Sequence, residues 1–198
     1  MNTPRLDKAL ATLTQMTEDL NISNPMQNLK EKFKTFRDQC FEWPQLTIGE
    51  KTARIPVIQG GMGLGISMSG LASAVADAGG IGVIAGNCIG LIEKDYYKDG
   101  CAANIRALRS EIRKARAKTD GLIGVNLMVA VNDFYQLLDV VIEEKVDLVI
   151  MGAGLPIKNI PVERMRANGV MAAPIVSSAR AAKLIFKMWK KAYKDIPD

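Results

Sequence analysis

The segment from Ile55 to Gly65, IPVIQGGMGLG, has the composition of a ligand-binding loop. An apolar run ends there in glycines, which let backbone N–H groups approach a ligand without an intervening side chain. Such a loop can lie against a flat ring or an anion. It could equally be a glycine-rich turn between a strand and a helix, with Met62 filling the core. Gly60, Gly61 and Met62 are therefore candidates for contact with a ligand.

Polar residues interrupt two other apolar runs. Asn126 lies within GLIGVNLMV, and a buried amide without partners costs about 1 to 3 kcal/mol. The edge of a cofactor ring with paired donor and acceptor atoms would satisfy it, and so would neighbouring backbone. Ser177 and Ser178 stand where an apolar run gives way to a helical pattern. One hydroxyl could cap that helix while the other faces a ligand.

Several kinds of chemistry are excluded by composition. The chain has no His, which removes Ser-His, Cys-His and His-metal mechanisms. Its three cysteines, Cys40, Cys88 and Cys101, have no CxxC spacing, so neither a zinc site nor a disulfide framework is supported. We therefore assign no catalytic residue and no metal ligand. We expect a cytoplasmic protein without a membrane span, because the cysteine usage fits a reducing compartment and no long apolar stretch occurs.

Apolar runs alternate with helical patterns from residue 55 onward. The runs are residues 55–58, 81–85, 122–128, 147–151 and 170–176. The helical patterns are residues 69–78, 102–117, 134–144, 162–167 and 179–193. Strands that are apolar on both sides belong in a parallel sheet covered by helices, which predicts an α/β fold. A doubly wound sheet would fit, but Gly and small polar residues after each run favour a TIM (β/α)8-type barrel with its ligand at those strand ends.

The chain of 198 residues is short for a complete barrel, which typically needs about 250. We expect only about the first five βα units, in a partial barrel over residues 46–198. The preceding residues 1–45 are predicted to be an N-terminal helical extension. The segment 194–198 resembles a loop leading into a sixth strand, so the chain is either a fragment or a smaller five-stranded fold.

The net charge of +5 comes mainly from two segments with helical spacing. These segments could bind phosphate, but they are also typical of solvated helix faces, and aromatic residues are sparse between them. We expect no nucleic-acid partner. The basic residues are Arg106, Arg109, Arg113, Lys114, Arg116 and Lys118, then Lys183, Lys187, Lys190, Lys191 and Lys194.

Four motifs in order resemble the nitronate monooxygenase family, formerly called 2-nitropropane dioxygenases. They are IPVIQGGMGLGISMSGLASAVADAGGIGVIAGN, GLIGVNLMV, VDLVIMGAGLP and MAAPIVSSARAAKLI, and together they cover about residues 46–187. The FMN-dependent enoyl-acyl carrier protein reductases are similar to this family. The resemblance implies a (β/α)8 barrel that binds FMN at the carboxyl ends of its strands.

The resemblance also implies roles for individual residues. Gly60, Gly61 and Met62 match a motif whose backbone lies beside the isoalloxazine ring, and Asn126 matches an Asn that bonds the ring. Ser177 matches a position that is a Lys reaching the flavin in some members. The substrate side is matched by Gly152, Ala153 and Gly154.

The family's catalytic His, in a Gly-Gly-His segment, and its phosphate-binding turns have no counterpart in this sequence. We therefore expect this chain to be an incomplete N-terminal part that holds FMN weakly or not at all and lacks the base that deprotonates a substrate.

The resemblance implies a flavin oxidoreductase that oxidises alkyl nitronates with dioxygen. An enoyl-acyl carrier protein reductase that uses NAD(P)H on an enoyl thioester is the alternative. A different class is a non-catalytic binding or assembly module, with its open sheet edge covered by the N-terminal helices or by a second copy in a homo-oligomer.

Overall fold

The computed structural model describes residues 44–198. The predicted helical extension over residues 1–45 therefore lies almost wholly outside the described residues. The strands are β1 (Leu46–Ile48), β2 (Lys51–Ala53), β3 (Ile81–Ala85), β4 (Leu122–Met128), β5 (Leu148–Gly152) and β6 (Met171–Pro174). The helices are α1 (Ser69–Asp77), α2 (Gly100–Arg116), α3 (Phe134–Glu143), α4 (Val162–Ala167) and α5 (Ala179–Tyr193), with a short 3-10 helix at Ile89–Ile92.

Strands β3 to β6 form a parallel sheet in the order in which they occur along the chain. A doubly wound sheet reverses its strand order at a switch point, whereas a barrel adds each strand beside the previous one. Within the described residues the order does not reverse. The sheet is thus a partial barrel, as predicted.

Five strands were predicted for the parallel sheet, and the prediction is wrong for the first of them, at residues 55–58. This run makes a single parallel bridge, Ile58 to Ile81, and does not form a ladder. The backbone N–H of Ile81 donates to Val57 O at 2.9 Å, and Gln59 N donates to Ile81 O at 3.0 Å. Val57 N donates to Ile55 O at 2.7 Å within its own segment instead of to the neighbouring strand, and the backbone departs from β3 after Gln59.

The two faces of the sheet pack against different partners. Ile123, Val125 and Leu127 of β4 belong to the larger core, which they form with the helices. The alternate strand residues Val83, Leu148 and Met171 join a smaller core that contains Ala53 of β2. Successive side chains of a strand point to opposite faces, so the β1–β2 hairpin covers the inner face near the amino ends of the strands.

Two side chains fix α5 in place. The Ser178 hydroxyl accepts a hydrogen bond from Ala181 N at 3.2 Å, so Ser178 is the residue that caps this helix. Trp189 is fully buried, and its Nε1 donates to Pro156 O at 2.6 Å. The helix is therefore tied to the loop that follows β5.

The segment 194–198 lies beside β6. Asp198 N donates to Ala172 O at 2.9 Å, and Ala172 N donates to the Asp198 carboxylate at 2.8 Å. Arg166 binds the carboxylates of Asp195 and Asp198 and donates to Ile196 O at 2.8 Å. These bonds satisfy the backbone of Ala172.

Asp147 joins three elements at the amino ends of the strands. Its carboxylate contacts Lys51 at 3.0 Å and Arg116 at 2.5 Å, and accepts a hydrogen bond from Ile123 N at 2.9 Å. Burial by itself would raise the pKa of Asp147. The hydrogen bonds from Ile123, Arg116 and Lys51 outweigh it and hold the pKa below its ordinary value of 3.8.

We expect Asp147→Asn to destabilise the protein by about 1 to 2 kcal/mol at neutral pH, because Lys51 and Arg116 lose their carboxylate. A lowered carboxyl pKa stabilises the folded state above the ordinary value and loses that effect as the pH falls through the folded pKa. The difference from the parent should therefore shrink below pH 3.8. Urea unfolding at several pH values measures it.

Asp139→Asn is the matched control. Asp139 pairs with Arg164 at 2.7 Å, but the two side chains are 47% and 55% exposed. An exposed pair of this kind contributes no more than about 1 kcal/mol, so its loss should change stability little. Equal losses in both variants would contradict a structural role for Asp147.

None of the helices within residues 44–198 has the length and apolar character needed to cross a membrane. Nor does that part of the chain hold a group of His, Cys, Asp or Glu side chains suited to a metal ion.

Candidate functional site

Gly61 and Asn126 meet at the carboxyl ends of the strands. Asn126 pairs with Ala85 of β3 and Ile150 of β5, and its side chain lies on the face of β4 opposite Val125 and Leu127. A Cβ added to Gly61 would lie 2.5 Å from Asn126 Cβ and 3.1 Å from Asn126 Oδ1. The glycine loop therefore rests directly on Asn126.

The Asn126 amide is poorly satisfied by the protein. Its Nδ2 donates to Ile150 O at 3.4 Å, which is long for an N–H···O bond. Its Oδ1 accepts no hydrogen bond from the part of the chain that the structure describes. An amide with a free acceptor and a weakly used donor can still bind the paired polar atoms of a ligand.

A buried side-chain network shapes the loop over Gly60–Met62. The Gln59 amide donates to Val83 O at 2.9 Å and accepts from Val83 N at 3.3 Å. This side chain thus continues the pairing with β3 after the backbone has turned away. The amide also donates to Ser67 Oγ at 3.0 Å; that hydroxyl in turn donates to Gly60 O at 3.0 Å and accepts from Met62 N at 2.9 Å.

We expect Ser67→Ala to destabilise the protein by about 2 kcal/mol, because it leaves Met62 N, Gly60 O and the Gln59 amide without their shared partner. Thermal unfolding measures this loss. Ser73→Ala is the control, since Ser73 Oγ makes one bond, to Gly70 O at 3.1 Å in the same helix. It should be close to neutral, because alanine favours a helix. A Ser67 variant as stable as the Ser73 variant would refute the role of the network.

The backbone beside Gly60 is open. A Cβ added to Gly60 would meet no atom within 4 Å, and the Met62 side chain is 45% exposed. One glycine of the pair is therefore pressed against Asn126 while the other borders free space. A flat ring could approach the loop from that side without meeting a side chain.

The turn after β5 connects the neighbouring strand ends. Gly152 is buried, whereas Ala153 and Gly154 are exposed and have φ angles of 51° and 147°. A Cβ on Gly152 would lie 3.1 Å from Ile175 Cδ1, and one on Gly154 would lie 3.1 Å from Val129 Cβ. The predicted substrate-side residues thus lie between the ends of β4 and β6.

Ser177 is exposed in the turn that leads to the Ser178 cap. Its hydroxyl makes no hydrogen bond to any residue within 44–198. The structure therefore does not join Ser177 to Gly61 and Asn126, and its contact with a cofactor stays a prediction.

Asn87 is a further candidate residue that was not predicted from the sequence. Its Oδ1 accepts from Met128 N at 2.7 Å, while its buried Nδ2 has no hydrogen-bond partner. Because Met128 N–H is a donor, the oxygen must face it, and the unused group is a donor. Asn87 lies just beyond β3, beside the end of β4. Such unsatisfied donors are rare in folded proteins and favour a ligand or water that accepts from them.

The residues that directly follow the strands carry no charge. Beyond β3 lie the exposed Cys88 thiol and Tyr96, whose pKa is raised by its hydrogen bond with Cys88, by burial and by neighbouring groups that include Asp133. A raised pKa keeps the phenol neutral near pH 7. No acidic or basic residue occurs in the strand ends and turns at residues 78–92, 121–132, 148–157 and 170–179.

Comparison with known proteins supports the resemblance seen in the sequence. The family model described as nitronate monooxygenase matches residues 44–133. No curated protein matches the chain.

Solved structures share the fold. FabK from Thermotoga maritima, an enoyl-acyl carrier protein reductase, is 33% identical with a TM-score of 0.54, over 67% of this chain and 37% of that one. Nitroalkane oxidase from Streptomyces ansochromogenes is 21% identical with a TM-score of 0.56, over 69% of this chain and 44% of that one. Both are TIM barrels, which confirms the predicted fold class. The chain spans less than half the length of either structure.

Proposed function

We propose that residues 46–198 form the ring-binding part of an FMN site in a flavin-dependent oxidoreductase similar to nitronate monooxygenases. The observation that carries the proposal is Gly61, which rests on the poorly satisfied Asn126 amide beside the open backbone of Gly60 at the carboxyl ends of the strands. When bound, FMN would supply the redox chemistry that no side chain of this segment can perform. The free cysteines Cys88 and Cys101 favour a reducing cytoplasm.

The protein's own residues would position the ring. Gly60 and Gly61 offer backbone against its plane, and Met62 adds an apolar surface. Asn126 has a donor and an acceptor for the polar edge of the ring, and Gln59 with Ser67 holds the loop in place. The proposed contact of Ser177 would add a hydroxyl where some relatives have a cation.

An alkyl nitronate fits this site as the substrate, with dioxygen as the oxidant. A nitronate is already the conjugate base of a nitroalkane, so binding it requires no proton acceptor at this end of the sheet. Gly152, Ala153 and Gly154 would leave room for its alkyl group, because they carry little or no side chain.

An enoyl-acyl carrier protein reductase is the second candidate, and the 33% identity to FabK favours it. In that reaction NAD(P)H would donate a hydride and an enoyl thioester would accept it. The two candidates differ in what reduces the bound cofactor under anaerobic conditions. Bleaching of the flavin spectrum by an alkyl nitronate supports the first, and bleaching by NADH or NADPH supports the second.

Titration with FMN tests the site itself. We expect added FMN to change its visible spectrum and lose fluorescence in the presence of the protein, and to be lost again on desalting. Weak retention is expected because the segment contains no phosphate-binding turn of the family type. A folded protein that leaves the FMN spectrum unchanged at every concentration would refute the site and favour a non-catalytic module.

A further inference from the structure

Helix α5 presents a row of cations to solvent. Residues 179–194 contain six basic and no acidic side chains. With about 100° of rotation per residue, the five within the helix fall on an arc of about 100°, opposite the buried Ile185 and Trp189. We call this row the α5 stripe; it comprises Arg180, Lys183, Lys187, Lys190, Lys191 and the C-cap residue Lys194.

The basic residues of α2 are balanced within the molecule, and those of the α5 stripe are not. Arg109 binds Glu143 at 2.7 Å and Glu144 at 3.2 Å, and Arg113 binds Glu144 at 2.7 Å. Arg106, Lys114 and Arg116 also pair with carboxylates. By contrast, no cation of the α5 stripe forms an ion pair with a residue that the structure describes. The carboxylates next to it in the chain, those of Asp195 and Asp198, bind Arg166.

Helix stability does not explain the stripe. Cations in the last turn favour a helix through its dipole, which accounts for Lys190 and Lys191. Arg180 and Lys183 lie near the amino end, where the same dipole disfavours positive charge. Lys183 and Lys187 also repel each other at the i, i+4 spacing. The amino-terminal half of the stripe therefore works against the helix that carries it.

We propose that the α5 stripe is a docking surface for an acidic protein, with carboxylates spaced along a helix or strand to match the cations. Two apolar side chains border the stripe, Leu184 at 42% exposure and Phe186 at 47%. Apolar contacts flanking opposite charges are typical of protein interfaces. A partner seated there would lie close to the turn at Ser177, where α5 begins.

The other anionic partners fit this surface less well. A helix that binds a lipid surface inserts an apolar face, whereas the apolar face of α5 is packed in the core through Ile185 and Trp189. A nucleic acid would place its phosphates against the cations. Leu184 and Phe186 would then face the charged backbone of the nucleic acid and gain no apolar contact. The proposal stands on charge and packing at α5 and does not depend on flavin binding.

The test measures binding of the full chain to a fluorescent synthetic peptide, a helix with Glu at i, i+4 and i+7 spacing and Leu along the border. We expect the triple variant Lys183→Glu, Lys187→Glu, Lys190→Glu to bind at least about tenfold more weakly than the parent. The control is Lys94→Glu, Lys98→Glu, Lys118→Glu. It changes net charge by the same amount at exposed lysines outside the stripe, and should lose less than about threefold.

A second pair of probes separates the partner classes. A single-stranded DNA oligonucleotide and vesicles containing phosphatidylglycerol should bind more weakly than the peptide at the same ionic strength. The double variant Leu184→Ser, Phe186→Ser should bind the peptide more weakly than the parent and bind the DNA equally well. Equal losses in the two lysine variants, or tighter binding of DNA or vesicles than of the peptide, would overturn the proposal.

Discussion

Replacing Gly61 by alanine should weaken FMN binding at least about tenfold and destabilise the protein by about 1 to 3 kcal/mol. The added Cβ would lie 2.5 Å from Asn126 Cβ and 2.9 Å from Asn126 Cγ, closer than packed carbons approach. Either the loop must lift or the amide must rotate, and each change disrupts the surface proposed to hold the ring. FMN titration and thermal unfolding of the same samples measure the two effects.

Gly60→Ala is the matched control for this substitution. Neither Gly60 nor Gly61 has a φ angle in the left-handed region, so alanine is compatible with the backbone at both positions. The two positions differ in the room available for a side chain, because a Cβ on Gly60 meets nothing within 4 Å. Its stability should stay within about 0.5 kcal/mol of the parent. A Gly61 variant that binds FMN like the parent would show that the ring does not use this surface.

Gly82→Ala should have the largest effect on stability, a loss of about 3 kcal/mol or more. Gly82 is the second residue of β3, where α1 packs against the strand. A Cβ there would be 1.8 Å from Ala72 O and 2.6 Å from Ala72 C, both backbone atoms of α1. No side-chain rotation relieves that overlap, so the helix must move off the strand. The midpoint of urea unfolding measures the loss.

Gly70→Ala, in the helix α1 that packs on Gly82, should have the opposite effect on stability. A Cβ on Gly70 meets nothing within 4 Å, and alanine loses less backbone entropy than glycine when a helix forms. We expect no loss of stability and a gain of up to about 1 kcal/mol. If the two glycine substitutions changed stability in the same direction, the close packing of α1 on β3 would be refuted.

Most of the fold could be predicted because its signals are local. The apolar runs at 81–85 and 122–128 coincide with β3 and β4, and the pattern at 179–193 coincides with α5. The run at 55–58 has the same composition, but Val57 N bonds to Ile55 O, and beyond Ile81 the Gln59 side chain takes the place of backbone in the contact with Val83. Residue types alone do not show whether the hydrogen bonds to a neighbouring strand come from backbone or, as at Gln59, from a side chain.

The candidate site was predictable in part. Glycines and a polar residue within apolar runs were enough to single out Gly61 and Asn126, which the structure brings into contact. Gln59 and Asn87 were not predicted because other strands supply their partners Val83 and Met128. The partners of Ser67 lie in its own segment, but only the folded loop brings them together. Gln59 could have been found by the argument applied to Asn126, since it too is polar and ends an apolar run.

The two basic segments look alike in the sequence and differ in the structure. The carboxylates that bind Arg109 and Arg113 of α2 come from Glu143 and Glu144, some thirty residues further along the chain. Helical spacing predicts which cations share a face, but it carries no information about distant partners. The ion pairs of α2 in the folded chain, including those with the carboxyl end of α3, distinguish its neutralised face from the α5 stripe.

The separation of charge along the strands bears on how kinetic data would be interpreted. The ionisable network around Asp147 lies at the amino ends, whereas the residues that directly follow the strands carry no charge, and acidic groups such as Asp133 come later in the turns. Carboxylates at either end titrate in acid, well below neutral pH. An inflection in a pH-rate profile near neutrality would report on the ligand, or on a group that residues 44–198 do not contribute to this face.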